Sequence, residues 1–98
     1  MKTLLLLTTS ALAYAADSSA GKALFEQKCA ICHASESSER RIGPALKGVK
    51  EGQLPSHQNA THDTVLHKID NGGGGMPVFR ELLTKEQKEE IVAYVLTL

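Results

Sequence analysis

The two cysteines of this 98-residue chain lie within five residues of each other, in the run Cys29-Ala30-Ile31-Cys32-His33. This spacing constrains the fold because two neighbouring cysteines cannot form a disulfide framework that links distant segments. A chain of this length fits one small domain with a thin core, although its 42% apolar content argues against disorder. Apolar packing therefore needs help from another source, and a bound cofactor would supply it.

The pattern C-x-x-C-H is typical of covalent haem c attachment. On one helical turn, the thiols of Cys29 and Cys32 can reach the two vinyl groups along one haem edge and form thioethers. His33 lies four residues after Cys29 and therefore projects to the same side, with its imidazole toward the iron. This short run predicts both the attachment of one haem c and its proximal iron ligand.

Three other kinds of site use similar residues. A thioredoxin-like dithiol belongs near a βαβ pattern, which this sequence lacks. A disulfide between Cys29 and Cys32 would be strained and would stabilise little. A zinc site would need Cys29, Cys32, His57 and His62, but the separation between the second cysteine and His57 exceeds usual zinc-finger spacing. The residues therefore favour haem c.

The first fifteen residues have the composition of a secretory signal peptide. Lys2 gives a positive start, leucines fill positions 4–7, and Ala13-Tyr14-Ala15 forms an A-x-A cleavage pattern. The apolar part is about ten residues, too short for the roughly 20 that span a bilayer. We predict that residues 1–15 are cleaved, that the protein is exported to the periplasm, and that residues 16–98 form one domain without a membrane span.

Charge excludes one large class of function. The chain has 11 basic and 11 acidic side chains and a formal net charge of +0, so a nucleic-acid partner is not expected. The same balance argues against strong long-range steering by a ring of lysines.

The pattern of apolar residues predicts an all-α fold of three to four short helices. Side-chain oxygens over residues 17–19 favour an N-cap for a helix over residues 20–28. Gly21 inside that helix costs roughly 1 kcal/mol relative to alanine, and close approach of a second helix would explain its presence.

Two further helices are expected. Residues 61–63 can cap the first of them, which runs to about Asn71 and is ended by the glycines at 72–75. The other opens at Thr84, and Gln87 completes its capping-box pattern. The apolar stripe of this last helix comprises Ile91, Tyr94, Val95 and Leu98.

The order of these motifs resembles class I cytochromes c, in particular the small soluble bacterial electron carriers. The run 21–33 resembles the opening helix of that family, with its glycine, its aromatic residue and then C-x-x-C-H. Residues 42–46 resemble the G-P-x-L segment, residues 69–77 resemble the approach to a distal methionine, and Tyr94 resembles the C-terminal aromatic residue. The resemblance implies a class I cytochrome c fold wrapped around one covalently bound haem.

The resemblance also implies roles for individual residues. The carbonyl of Pro44 would accept a hydrogen bond from the proximal imidazole and so fix its tautomer. Met76 would be the sixth ligand, so that His33 and Met76 bind the iron. Gly21 and Phe25 resemble the positions where the first helix crosses the last.

The roles of several residues are undecided by the sequence. Met76 is the only methionine after the predicted signal peptide and lies in a glycine-rich loop, whereas His57, His62 and His67 are expected to be exposed. A second histidine ligand at His67 would lower the reduction potential. The sequence contains no tryptophan, which many relatives use to hold a haem propionate. The candidate replacements are Arg40, Arg41, Gln53 and Asn59.

The function implied by the resemblance is a periplasmic one-electron carrier of a respiratory chain. Such a protein is not an enzyme, acts as a monomer, and makes small, transient contacts with redox protein partners. A haem enzyme or sensor with an exchangeable sixth ligand is one alternative, and a small haem subunit of a larger oxidoreductase is another. The apolar pocket expected to exclude water from the haem comprises Leu46, Val65, Leu66, Ile69, Val78, Phe79 and Val95.

Overall fold

The computed structural model describes residues 17–98. The predicted signal peptide and its cleavage after Ala15 lie outside the described residues and stay predictions, as does the start of the domain at residue 16. The helices are α1 (Ser18–Lys28), α2 (His62–Asn71) and α3 (Lys85–Val95), with a 3-10 turn at Val49–Glu51. Within residues 17–98 there is no strand, only isolated bridges. The all-α prediction is confirmed.

Side chains cap the N-termini of the first and last helices where the sequence predicts them. The Asp17 carboxylate accepts a hydrogen bond from the Ser19 amide at 2.8 Å, so α1 begins two residues earlier than expected. At α3, the Thr84 hydroxyl accepts from the Gln87 amide at 3.1 Å, and the Gln87 side chain accepts from the Thr84 amide at 2.9 Å. The predicted capping box is therefore present.

The α2 cap is a variant of the same motif. The Thr61 hydroxyl accepts from the Thr64 amide at 3.1 Å, and the Thr64 hydroxyl accepts from the Thr61 amide at 2.9 Å. A threonine thus takes the place of the usual glutamate or glutamine at the third helical position.

The crossing of α1 and α3 organises the core. A Cβ atom at Gly21 would lie 2.6 Å from the Glu90 carbonyl carbon and 2.9 Å from the Tyr94 Cβ, so only glycine permits this approach. One turn along, the rings of Phe25 and Tyr94 pack with their centroids 5.3 Å apart and their planes tilted by 58°. Close helix packing therefore explains the glycine in α1.

Most of the predicted pocket residues belong to the core or lie at its margin. Val65, Ile69 and Val95 are buried, and Leu46, Leu66 and Phe79 pack against the core while partly exposed. The Val78 side chain is 56% exposed, whereas its neighbour Phe79 packs against the core, so the predicted contact of Val78 with the haem stays a prediction. The buried core comprises Phe25, Val49, Val65, Ile69, Leu83, Ile91, Val92, Tyr94 and Val95.

Among residues 17–98, no helix combines the length and the apolar character that are needed to cross a membrane.

Candidate haem-binding site

The C-x-x-C-H run continues α1 by one more turn. The amides of Cys29 and Ala30 both donate to the Phe25 carbonyl at 2.8 Å. The amides of Cys32 and His33 then donate to the Cys29 carbonyl, at 3.1 and 2.9 Å. This helical geometry places the two cysteines and the histidine on one turn, as their spacing predicts.

The His33 ring is oriented by a single backbone acceptor. Its Nδ1 atom lies 2.7 Å from the Pro44 carbonyl oxygen, in a partly buried position. Because a carbonyl only accepts, Nδ1 is the donor and Nε2 is the basic nitrogen available to a metal. The hydrogen bond that the resemblance implies for Pro44 is thus present in the structure.

Gly43 allows the Pro44 segment to approach the imidazole. A Cβ atom at Gly43 would lie 2.8 Å from His33 Cε1 and 3.1 Å from Nδ1. The Gly43 amide also donates to the Cys32 carbonyl at 2.7 Å. Sequence reasoning identified this glycine only as part of a turn. The position of Gly43 directly before Pro44, whose carbonyl faces His33, was the signal that could have predicted this close approach.

The two thiols are free, and the environment of Cys29 favours its protonated form. Burial, with a smaller contribution from the neighbouring Cys32, raises the pKa of the Cys29 thiol to about 11. A protonated, weakly nucleophilic thiol at neutral pH does not suit a redox-active dithiol. It does suit a residue whose sulfur becomes a thioether.

Met76 lies on the loop between α2 and α3. The Gly73 amide donates to the Met76 carbonyl at 3.0 Å, and the Met76 amide donates to the Gly73 carbonyl at 3.2 Å, which closes a tight turn. A Cβ atom at Gly72 would lie 2.5 Å from the Pro77 carbonyl oxygen. Met76 is partly buried, and its loop is a different element from the C-x-x-C-H turn, far from it in sequence.

The remaining histidines are all exposed. His62 pairs with Asp63 and Glu89, and the His67 Nδ1 atom accepts a hydrogen bond from the Asn71 amide group at 3.2 Å. Within residues 17–98, no group of three or more His, Cys, Asp or Glu side chains could hold a metal ion. The zinc alternative therefore has no assembled site in the described part of the chain.

The four candidates for holding a propionate are exposed and divide into two groups. Arg40 pairs with His33 in a backbone bridge, and the Arg41 guanidinium donates to the carbonyl of Ala30. Gln53 and Asn59 are paired across a second backbone bridge.

The donor set fits haem c. Two reduced thiols lie on one turn, an imidazole presents its basic Nε2, and a thioether lies on a glycine-rich loop. Large apolar side chains near both segments also remain exposed, as expected for residues that would pack on a large flat cofactor. They are Ile31, Ile42, Val78 and Leu82.

Comparison with known proteins agrees with this fit. Residues 16–95 match the family described as cytochrome C oxidase, cbb3-type, subunit III. The chain is 38% identical over 84 residues to cytochrome c6 of Rippkaea orientalis, covering 86% of this chain and 73% of that relative. The chain belongs to the class I cytochromes c.

Two further cytochromes support this placement. Cytochrome c6 of Nostoc sp. is 34% identical over 84 residues, covering 86% of this chain and 73% of the relative. The solved structure of cytochrome c6 from the diatom Phaeodactylum tricornutum has a TM-score of 0.66 and 29% identity, covering 83% of this chain and 92% of that one. This cytochrome is therefore an electron carrier with one covalently bound haem c, and not an enzyme.

Proposed function

We propose that this cytochrome is an exported, periplasmic carrier that moves single electrons between redox proteins of a respiratory chain. Cys29 and Cys32 would form the thioethers, His33 and Met76 would bind the iron, and Pro44 would orient the proximal imidazole. The hydrogen bond between His33 Nδ1 and the Pro44 carbonyl carries the proposal, because it leaves Nε2 free to bind a metal.

The residues of this chain would set the properties of the site. When bound, the haem supplies an iron that cycles between Fe(III) and Fe(II). Met76 would favour the reduced state with its soft thioether and so raise the reduction potential. Partly buried apolar residues would exclude water and add to the same effect. Leu46, Leu66 and Phe79 are among these residues at the margin of the core.

The mature chain would act as a monomer that meets each partner briefly. The signal peptide predicted at residues 1–15 supports export. The balanced charge of the chain supports weak contacts rather than a steered, long-lived complex. The oxidase family whose profile it matches supports a respiratory setting.

The proposal is tested by absorption spectra of the holoprotein, first ferric and then reduced with dithionite. We expect c-type bands on reduction and the weak far-red band of methionine bound to Fe(III). Met76→Ala should abolish the far-red band, lower the potential and open the iron to added ligands. Glu81→Ala is the matched control, because Glu81 lies five residues further along the same segment and is exposed. A far-red band that survives Met76→Ala would reject the assignment.

A second candidate is a haem subunit of a larger oxidoreductase, which the description of the matched family favours. A free carrier should elute as a monomer in size-exclusion chromatography. In its reduced form it should be oxidised by isolated membranes, with consumption of oxygen. A subunit should instead stay with the membrane fraction through salt washes.

A further inference from the structure

The loop that carries Met76 is closed at its neck by contacts from outside the loop. We define the methionine loop as residues 72–79. On its two sides, the Arg80 guanidinium donates to the Asn71 side-chain oxygen at 2.7 Å. Just inside, the Phe79 amide donates to the Ile69 carbonyl at 3.0 Å. These contacts join the residues before the loop to its last residue, Phe79, and to Arg80, which follows it.

Lys88 of α3 connects both sides of this neck. Its ammonium lies 2.8 Å from an Asp70 carboxylate oxygen and donates to the Arg80 carbonyl at 3.3 Å. Asp70 precedes the loop and Arg80 follows it, so one cation bridges the two ends. The side chains of Lys88 and Asp70 are only 14% and 23% exposed. Such a shielded pair holds its geometry better than a solvated surface pair.

The geometry points to Lys88 as a positioning residue that keeps the methionine loop closed and Met76 on the iron. This inference rests on the proposed role of Met76 as the sixth ligand. We call three hydrogen bonds the neck contacts: Arg80 with Asn71, Lys88 with Asp70, and Phe79 with Ile69.

Apart from the paired backbone groups of Gly73 and Met76 and a hydrogen bond from Lys68 to the Gly72 carbonyl, the loop makes few contacts that could replace those at the neck. Gly73, Gly74 and Gly75 all have positive φ angles, of 109°, 64° and 96°, and a Cβ atom at the latter two would meet nothing within 4 Å. Open space around a run of glycines implies few packing contacts to oppose an outward movement. Contacts at the neck therefore decide how readily the loop opens.

An added ligand that binds the ferric iron reports this opening directly. Imidazole can bind the iron only when Met76 has left, so its affinity contains the free energy of opening the loop. A substitution that removes a contact present only in the closed loop makes opening easier by some factor. The Kd of imidazole must then fall by that same factor.

The test measures the Kd of imidazole for the ferric holoprotein, together with the far-red band and thermal unfolding. Lys88→Met should lower this Kd about tenfold, because it removes the hydrogen bond from a charged ammonium to the Arg80 carbonyl at the end of the loop. Lys88→Arg keeps the charge and the donors and should restore most of the wild-type value. Lys85→Met is the matched control, since Lys85 is an exposed lysine of the same helix, and should leave the Kd unchanged.

Arg80→Met provides a second variant that does not disturb the core, because Arg80 is exposed. It should lower the imidazole Kd about threefold, in keeping with the loss of one exposed hydrogen bond. If Lys88→Met yields no folded holoprotein, Arg80→Met decides the question.

Two results would overturn the proposal, and they differ. A lowered melting temperature with an unchanged imidazole Kd in both variants would show that Lys88 and Arg80 only stabilise the fold and do not keep the loop closed. Met76→Ala separates this result from failure of the ligand assignment. If imidazole binds the wild type as tightly as Met76→Ala, Met76 is not the ligand and the neck contacts have no ligand to position.

Discussion

The turn that carries Cys29, Cys32 and His33 and the loop that carries Met76 are stabilised in different ways. Backbone hydrogen bonds to Phe25 and to Cys29 itself build the turn as an extension of α1, so its geometry is local. The methionine loop instead depends on residues outside it, including Lys88 of α3, 12 positions after Met76. The turn should therefore tolerate changes elsewhere in the fold, whereas the loop should respond to them.

A substitution at the start of the methionine loop should have the largest effect. Gly72 has φ 58° and ψ −140°, a conformation essentially restricted to glycine, and a Cβ there would lie 2.5 Å from the Pro77 carbonyl oxygen. Gly72→Ala should lower the free energy of unfolding by about 3 kcal/mol and weaken the far-red band.

Gly74→Ala is the control for this prediction. Gly74 also has a positive φ, of 64°, but a Cβ atom there would meet nothing within 4 Å. The expected loss is about 1 kcal/mol, the conformational penalty alone. Equal effects of Gly72→Ala and Gly74→Ala in thermal unfolding would show that backbone contact at Gly72 does not hold the loop.

On the side of the cysteines, Gly43→Ala should have an intermediate effect. The added methyl group would lie 2.8 Å from His33 Cε1, so either the ring or the Pro44 segment must move. We expect a loss of about 2 kcal/mol in the free energy of unfolding. Pro44→Ala keeps the carbonyl acceptor and should cost only about 0.5 kcal/mol. If Pro44→Ala lowers the free energy of unfolding more than Gly43→Ala in denaturant titrations, then the rigid proline ring fixes the imidazole, and the close approach of Gly43 to His33 does not.

The smallest effect concerns His62, which lies in neither region and links α2 to α3. Hydrogen bonds to Asp63 at 2.8 Å and to Glu89 at 2.6 Å, reinforced by their charges, raise the pKa of His62 above its ordinary value of 6.5. The folded state therefore favours the protonated ring. Its stabilisation is fully present below pH 6.5 and is lost as the pH rises through the higher folded pKa.

The His62 side chain is 49% exposed, so solvent screening keeps this contribution below about 1 kcal/mol. His62→Gln should flatten the stability profile across that pH range, as measured by denaturant titration at several pH values. A profile that keeps its slope in the variant would assign the pH dependence to another group.

The residues that could be predicted from the sequence are those whose partners are near in sequence. The caps at Asp17 and Thr84 follow from side chains two and three residues away, and the C-x-x-C-H turn follows from spacing alone. The crossing at Gly21 was also predictable, although only because the resemblance supplied Tyr94 as its partner.

Other features depended on long-range geometry. The inward position of Phe79 and the exposure of Val78 could not be separated by composition, because both are apolar neighbours in one segment. The close approach of Gly43 to His33 was equally hidden, since it brings together residues ten positions apart.

The sequence by itself determined the class of this protein, because haem c attachment needs its thiols and imidazole at one fixed local spacing. The tertiary structure decided how the second side of the site is held. A bond such as that between Lys88 and Asp70 joins side chains 18 positions apart, from two helices, and no local pattern predicts it. Its existence depends on the angle at which α2 and α3 pack, and only the folded chain fixes that angle.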